Sequence, residues 1–99
     1  MAATADKQRC VRVSVEGTVQ GVGYRYWTER AAIGLDLTGW VRNRRDGSVE
    51  ALFCGDVDDV AEMLQRCRDG PPSARVTAVR ILEEGGEDPA DGFEVLPTL

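Results

Sequence analysis

Valine recurs at Val11, Val13 and Val15 with Arg12, Ser14 and Glu16 set between. That alternation over Cys10 to Glu16 predicts a β-strand with one buried and one wetted face. From Tyr24 to about Leu35 the period changes: Trp27, Ala31 and Leu35 fall four apart, as on one stripe of a helix. Leu37 to Asn43 and Val49 to Cys54 return to strand character on either side of Asp46-Gly47, a turn pair, and together predict a hairpin. Val57, Val60, Ala61 and Leu64 predict a second amphipathic helix, capped by Asp56 or Asp58 and ended by Asp69-Gly70-Pro71-Pro72. Val76 to Leu82 is the expected fourth strand, and Phe93 to Leu96 admits a short fifth.

The order βαββαβ specifies an α+β fold, the ferredoxin-like sandwich, with an antiparallel sheet carrying two helices on one face. In its usual strand order the first and second strands run parallel with the third between them, so their carboxyl ends share one edge of the sheet. No repeat, linker or low-complexity tract interrupts the chain. Residues 7–99 are expected to form a single domain behind a flexible segment, 1–6.

Composition narrows the class. Ninety-nine residues form one core without needing metal or disulfides, and a hydrophobic fraction of 42% is too high for a disordered chain. No apolar run approaches a membrane span, and Met1 to Asp6 lacks the features of a signal peptide, so a cytoplasmic location is expected; a monomer is a separate expectation. Cys10, Cys54 and Cys67 cannot all pair and form no C-x-x-C; free thiols in a reducing compartment are the simpler reading. With no histidine in the chain, Ser-His-Asp and Cys-His pairings and a Cys/His zinc site are ruled out. The acidic group Asp56, Asp58 and Asp59 reads as helix capping, and Glu83, Glu84, Glu87 and Asp88 as a solvated loop rather than a magnesium site. RNA-recognition modules share this element order, but the net charge of −5 and the missing Lys/Arg-Gly-aromatic run oppose nucleic-acid binding.

The chemistry concentrates in Gly17-Thr18-Val19-Gln20-Gly21-Val22-Gly23-Tyr24-Arg25, between the first strand and first helix. Glycines let the chain turn sharply and aim several N–H groups at one small anion, and a helix N-terminus adds partial positive charge. Arg25 adds a full charge with a planar fork of donors, at a helix start where the dipole disfavours a cation, so an anion is its best explanation. The spacing matches neither Gly-x-x-x-x-Gly-Lys-Ser/Thr nor Gly-x-Gly-x-x-Gly, since Tyr26 stands where the last glycine of the latter belongs.

A second motif follows, Gly39-Trp40-Val41-Arg42-Asn43-Arg44-Arg45-Asp46-Gly47-Ser48-Val49-Glu50. Together the two resemble the acylphosphatase family, marked by Gly-x-Val-Gln-Gly-Val-Gly-Phe-Arg and Gly-Trp-Val-x-Asn-x-x-Asp-Gly-x-Val-Glu. The resemblance extends through Gly70-Pro71-Pro72-x-Ala74-x-Val76 and Phe93-x-Val95, from about Lys7 to Leu96. It implies hydrolysis of acyl phosphates, with no metal or other cofactor and a small-molecule acyl phosphate as the partner. Arg25 and the loop Val19, Gln20, Gly21, Val22, Gly23 and Tyr24 would bind phosphate, and Asn43 would orient the attacking water. A carboxylate leaves without help from an acid, and with no histidine in the chain the bound phosphate is the expected acceptor of the water's proton. A non-catalytic anion-binding or regulatory module of the same fold is the alternative.

The chain departs from the family pattern in three places. Tyr24 stands for phenylalanine, adding a hydroxyl at the loop. Leu35-Asp36-Leu37 replaces Leu-Gly-Leu, so either Gly34 or a left-handed Asp36 must end the helix. The tail Leu96-Pro97-Thr98-Leu99 differs from that of some members. Arg42, Arg44 and Arg45 are either exposed hairpin residues or a basic spot that draws in anions.

Overall fold

The computed structural model describes residues 7–86 and 91–99. The expected flexible segment 1–6 and the acidic residues Glu87 and Asp88 lie outside the described residues. Seven elements follow one another: β1 (Gln8–Thr18), α1 (Tyr24–Gly34), β2 (Thr38–Asn43), β3 (Val49–Asp56), α2 (Val57–Cys67), β4 (Arg75–Glu84) and β5 (Phe93–Val95).

The sheet order is β4-β1-β3-β2-β5, with β3 antiparallel to both β1 and β2. Strands β1 and β2 are therefore parallel and finish at the same edge. This is the ferredoxin-like arrangement, with one difference from the expected antiparallel sheet. Strand β5 joins β2 in parallel, pairing Gly39 with Phe93 and Val41 with Val95, so the sheet is mixed. Strand β4 runs against β1 and hence against β2, whereas β5 at the far edge runs with β2. The tail continues along it: Leu96 N–H donates to the Val41 carbonyl (2.9 Å) and Leu99 N–H to that of Asn43 (3.2 Å).

Alternation places Val11, Val13 and Val15 of β1, Ala51 and Phe53 of β3 and Val41 of β2 in the core beneath the helices. The helix stripes differ in detail from the sequence expectation. In α1 the fully buried residues are Tyr24, Thr28 and Ala32, while Trp27, Ala31 and Leu35 pack half-buried beside them. Thr28 tolerates burial because its hydroxyl donates to the Tyr24 carbonyl (2.8 Å). In α2 the buried stripe is Val60, Met63 and Cys67; Leu64 is partly buried and Ala61 is exposed. Asp56 caps α2, its carboxylate accepting from Asp58 N–H (2.9 Å). Asp36, at φ 57°, takes the left-handed position after α1.

The expectation of three free cysteines is corrected. Antiparallel register sets Cys10 directly opposite Cys54, and the two form a disulfide that spans 44 positions of sequence. Both residues fall on the sheet face away from the helices, and their Cα atoms are 4.1 Å apart, the close spacing of a non-hydrogen-bonded antiparallel pair. The cysteine argument for a reducing compartment therefore falls away. Cys67 alone stays free among the described residues, its thiol pushed up to about 12 by burial, which leaves it an inert core residue.

On the same open face Glu50 is 2% exposed beneath three arginines. Arg12 donates to one carboxylate oxygen (2.7 Å), while Arg42 and Arg44 both donate to the other (2.9 Å each). Burial alone would raise the Glu50 pKa, but the three guanidinium hydrogen bonds outweigh it and hold the carboxyl below its ordinary value. Around pH 4 the unfolded chain then binds more protons at this group than the folded one, so stability rises with pH there. The Glu50 contribution is expected to be fully present above about pH 5 and to vanish as pH falls through the depressed folded pKa. Glu50→Gln leaves Arg42 and Arg44 without their counter-charge and Arg12 with Glu83 alone, and is expected to cost about 3 kcal/mol at pH 7, since partial solvation of the arginines softens the loss. Urea midpoints for both proteins at pH 7 and pH 3 check this; the gap between them is expected to narrow at the lower pH.

Candidate active site

The loop after β1 and the end of β2 meet at the shared edge. There Val19, Gly21, Gly23, Tyr24, Arg25, Tyr26 and Asn43 line a small cleft of about 100 Å³. Asn43 reaches it by strand parity: Gly39, Val41 and Asn43 lie on the helix-covered side, and Arg42 on the other. A wider hollow of about 430 Å³ beside the hairpin is lined by Arg44, Arg45, Asp46 and Leu99 and includes no residue of the glycine loop.

The two helix starts are built in opposite ways. Helix α2 has an aspartate cap and two more acids, Asp58 and Asp59, in its first turn. Helix α1 has Gly23 as N-cap, no side-chain cap bond and no acid in its first turn. The first α1 hydrogen bond at this end runs from Trp27 N–H to the Gly23 carbonyl (3.0 Å). The N–H groups of Tyr24, Arg25 and Tyr26 therefore have no partner within the helix. Gly21 and Gly23 are both left-handed, at φ 76° and 80°, and a Cβ on either would meet no atom within 4 Å. Backbone conformation, not crowding, calls for glycine there. Left-handed residues within a turn cup successive N–H groups into a concave nest for an anion.

Arg25 lies half-buried in the cleft wall with no ion-pair or hydrogen-bond partner among the described residues. Of the hairpin arginines, Arg42 and Arg44 are held by Glu50 on the opposite sheet face. Arg42 also stacks over the Trp40 ring, 4.7 Å from its centroid. Arg45 is the exposed one of the three.

Two loop residues turn away from the cleft. Val22 packs partly buried against the core. The Gln20 side-chain amide donates to the carbonyls of Arg44 (2.7 Å) and Ser48 (2.8 Å) across the hairpin. The Tyr24 hydroxyl also leaves the loop, donating in the core to the Cys67 carbonyl at the end of α2 (2.7 Å). Burial raises its pKa, so it stays protonated and takes no part in acid–base chemistry. Tyr26, which sequence reasoning passed over as a site residue, forms part of the rim and is 61% exposed. Its position one residue past Arg25, in the first turn of α1, was the available signal.

Known proteins fit this picture. The sequence profile of the family described as Acylphosphatase matches residues 11–95. A Nitrobacter hamburgensis protein named acylphosphatase is 54% identical over 93 residues, covering 89% of this chain and 94% of that one. The solved acylphosphatase of Coxiella burnetii superposes with a TM-score of 0.87 at 36% identity, over 93% of this chain and 96% of that one. That of Bacillus subtilis gives a TM-score of 0.83 at 32% identity, over 90% and 98%.

Proposed function

The chain belongs to the acylphosphatase family, enzymes that hydrolyse acyl phosphates to a carboxylate and inorganic phosphate, and from that premise we propose a division of labour within the cleft. Arg25 and the main-chain donors from Gly21 to Tyr26 hold the phosphoryl group, and Asn43 orients the water that attacks it. The supporting observation is the α1 start: an uncapped, acid-free helix terminus with an unpaired arginine, facing an asparagine across one small cleft.

An acyl phosphate is a mixed anhydride whose leaving group is a weakly basic carboxylate. As the water oxygen bonds to phosphorus, the bond from phosphorus to the acyl oxygen breaks and the electron pair departs with the carboxylate. No acid is needed for that departure. What the reaction requires is alignment and compensation of charge on the equatorial phosphoryl oxygens. Arg25 and the loop amides supply the second. The Asn43 carboxamide supplies the first, accepting from the water through its oxygen or donating through its NH₂. The water's proton passes to a phosphoryl oxygen and leaves with inorganic phosphate. Every group used comes from one chain, and we read the working unit as a monomer.

Steady-state kinetics with benzoyl phosphate and with p-nitrophenyl phosphate, each in excess chelator, test this reading. Turnover of the acyl phosphate at an undiminished rate is expected, with negligible hydrolysis of the monoester, whose poorer leaving group the site does not assist. Loss of activity on chelation, or equal rates on both substrates, would contradict it. Phosphate binding without turnover would mark an anion-binding module instead.

A further inference from the structure

We infer that Gln20 is a positioning residue for the hydrolysis, acting by locking the Asn43-bearing hairpin against the phosphate loop. The inference rests on the roles proposed above for Arg25 and Asn43. Gln20 sits in the loop between Val19, which is 1% exposed and anchored in the core, and Gly21 at the cleft. Its side chain leaves the loop, and its NH₂ group donates to Arg44 (2.7 Å) and Ser48 (2.8 Å). Those two carbonyls also close the hairpin itself: that of Ser48 accepts from Arg44 N–H (2.9 Å), and that of Arg44 from Gly47 N–H (3.1 Å). Arg44 directly follows Asn43.

Among the described residues, these are the hydrogen bonds that join the stretch 19–26 to the stretch 43–48. One side chain therefore ties the loop that grips phosphate directly to the turn that follows Asn43, in addition to the sheet pairing that holds the ends of β1 and β2. Both partners are acceptors, so only an NH₂ group fits; glutamate, of the same shape, would set an oxygen against two carbonyl oxygens. The phosphate grip is internal to the loop and the start of α1, and it does not depend on this clamp. Alignment does, and small misplacements of a reacting group cost rate steeply.

The test is a double-mutant cycle with benzoyl phosphate as substrate and inorganic phosphate as competitive inhibitor, on wild type, Gln20→Ala, Gln20→Glu, Asn43→Ala and Gln20→Ala/Asn43→Ala. Gln20→Ala is expected to lower kcat roughly 10- to 100-fold, with Gln20→Glu no better, while the inhibition constant for phosphate stays within about twofold. In the Asn43→Ala background the further loss is expected to shrink to about twofold or less, because the two residues act on one alignment. A full, undiminished loss in that background, or a phosphate inhibition constant rising in step with the fall in kcat, would overturn the inference. Wild-type turnover in Asn43→Ala would overturn the reading beneath it and the inference with it, a result distinct from either. Should Gln20→Ala not fold, Gln20→Asn, which keeps the amide but falls one methylene short, completes the same cycle.

Discussion

Arg25→Ala is expected to lower kcat/KM for an acyl phosphate by about 10²–10³-fold, equivalent to about 3–4 kcal/mol of transition-state stabilisation. The expectation comes from the setting of the side chain. Arg9, Arg12, Arg42, Arg44, Arg66 and Arg80 each hold a carboxylate; Arg25, like Arg30, Arg45, Arg68 and Arg75, has no partner among the described residues, but of these five it is Arg25 that lines the glycine-loop cleft. A cation in the first turn of a helix faces the positive end of the dipole, an arrangement that costs about 0.3–1 kcal/mol. The alanine variant is therefore expected to unfold at the same temperature as wild type or slightly above it while losing most activity. Arg25→Lys is expected to recover little, since a point charge does not replace a planar fork across two phosphoryl oxygens. Steady-state kinetics and thermal unfolding on the same samples check both halves. A variant that lost stability and activity together would mark Arg25 as structural.

Asn43→Ala is expected to lower kcat by about 10²-fold while inorganic phosphate still inhibits at close to the wild-type concentration. Asn43 ends β2, and its main chain is fixed twice, by pairing with Val49 and by accepting from Leu99 N–H. Truncation at Cβ leaves that backbone in place and the glycine loop untouched, so the phosphate grip survives. What disappears is the carboxamide beside the water. Competitive inhibition by phosphate, measured with kcat, separates the two roles. Weakened phosphate inhibition with retained turnover would reverse the assignment.

Much of this was legible in the chain. Alternation at Val11, Val13 and Val15 and the Asp46-Gly47 turn fixed the strands, and the order of elements fixed which strand ends meet. The loop of Arg25 follows β1 and Asn43 closes β2, so their meeting at one edge was readable, while the roles given to the two residues came from the resemblance to the acylphosphatase family. The features that escaped all depend on partners distant in sequence. Cys10 and Cys54 read as free thiols until the register of β1 on β3 sets them opposite each other. Glu50 occupies a polar position of an alternating strand and reads as solvated, yet arginines from β1, β2 and the hairpin close over it. The Tyr24 hydroxyl was expected at the loop; its ring points into the core, where the α2 end supplies an acceptor. Gln20 was read as a loop amide, and its side-chain role appears only when the hairpin folds against it. The parallel pairing of β5 depended on a crossover that local pattern does not encode.

A crystal structure of the protein with orthovanadate tests the central claim most directly, since vanadate adopts the five-coordinate geometry of an in-line displacement. Three equatorial oxygens are expected on the Arg25 guanidinium and the N–H groups of the Gly21 to Tyr26 stretch, with one apical oxygen within hydrogen-bond distance of the Asn43 carboxamide. Vanadate bound elsewhere, or seated in the cleft with Asn43 turned away from both apical oxygens, would contradict the account.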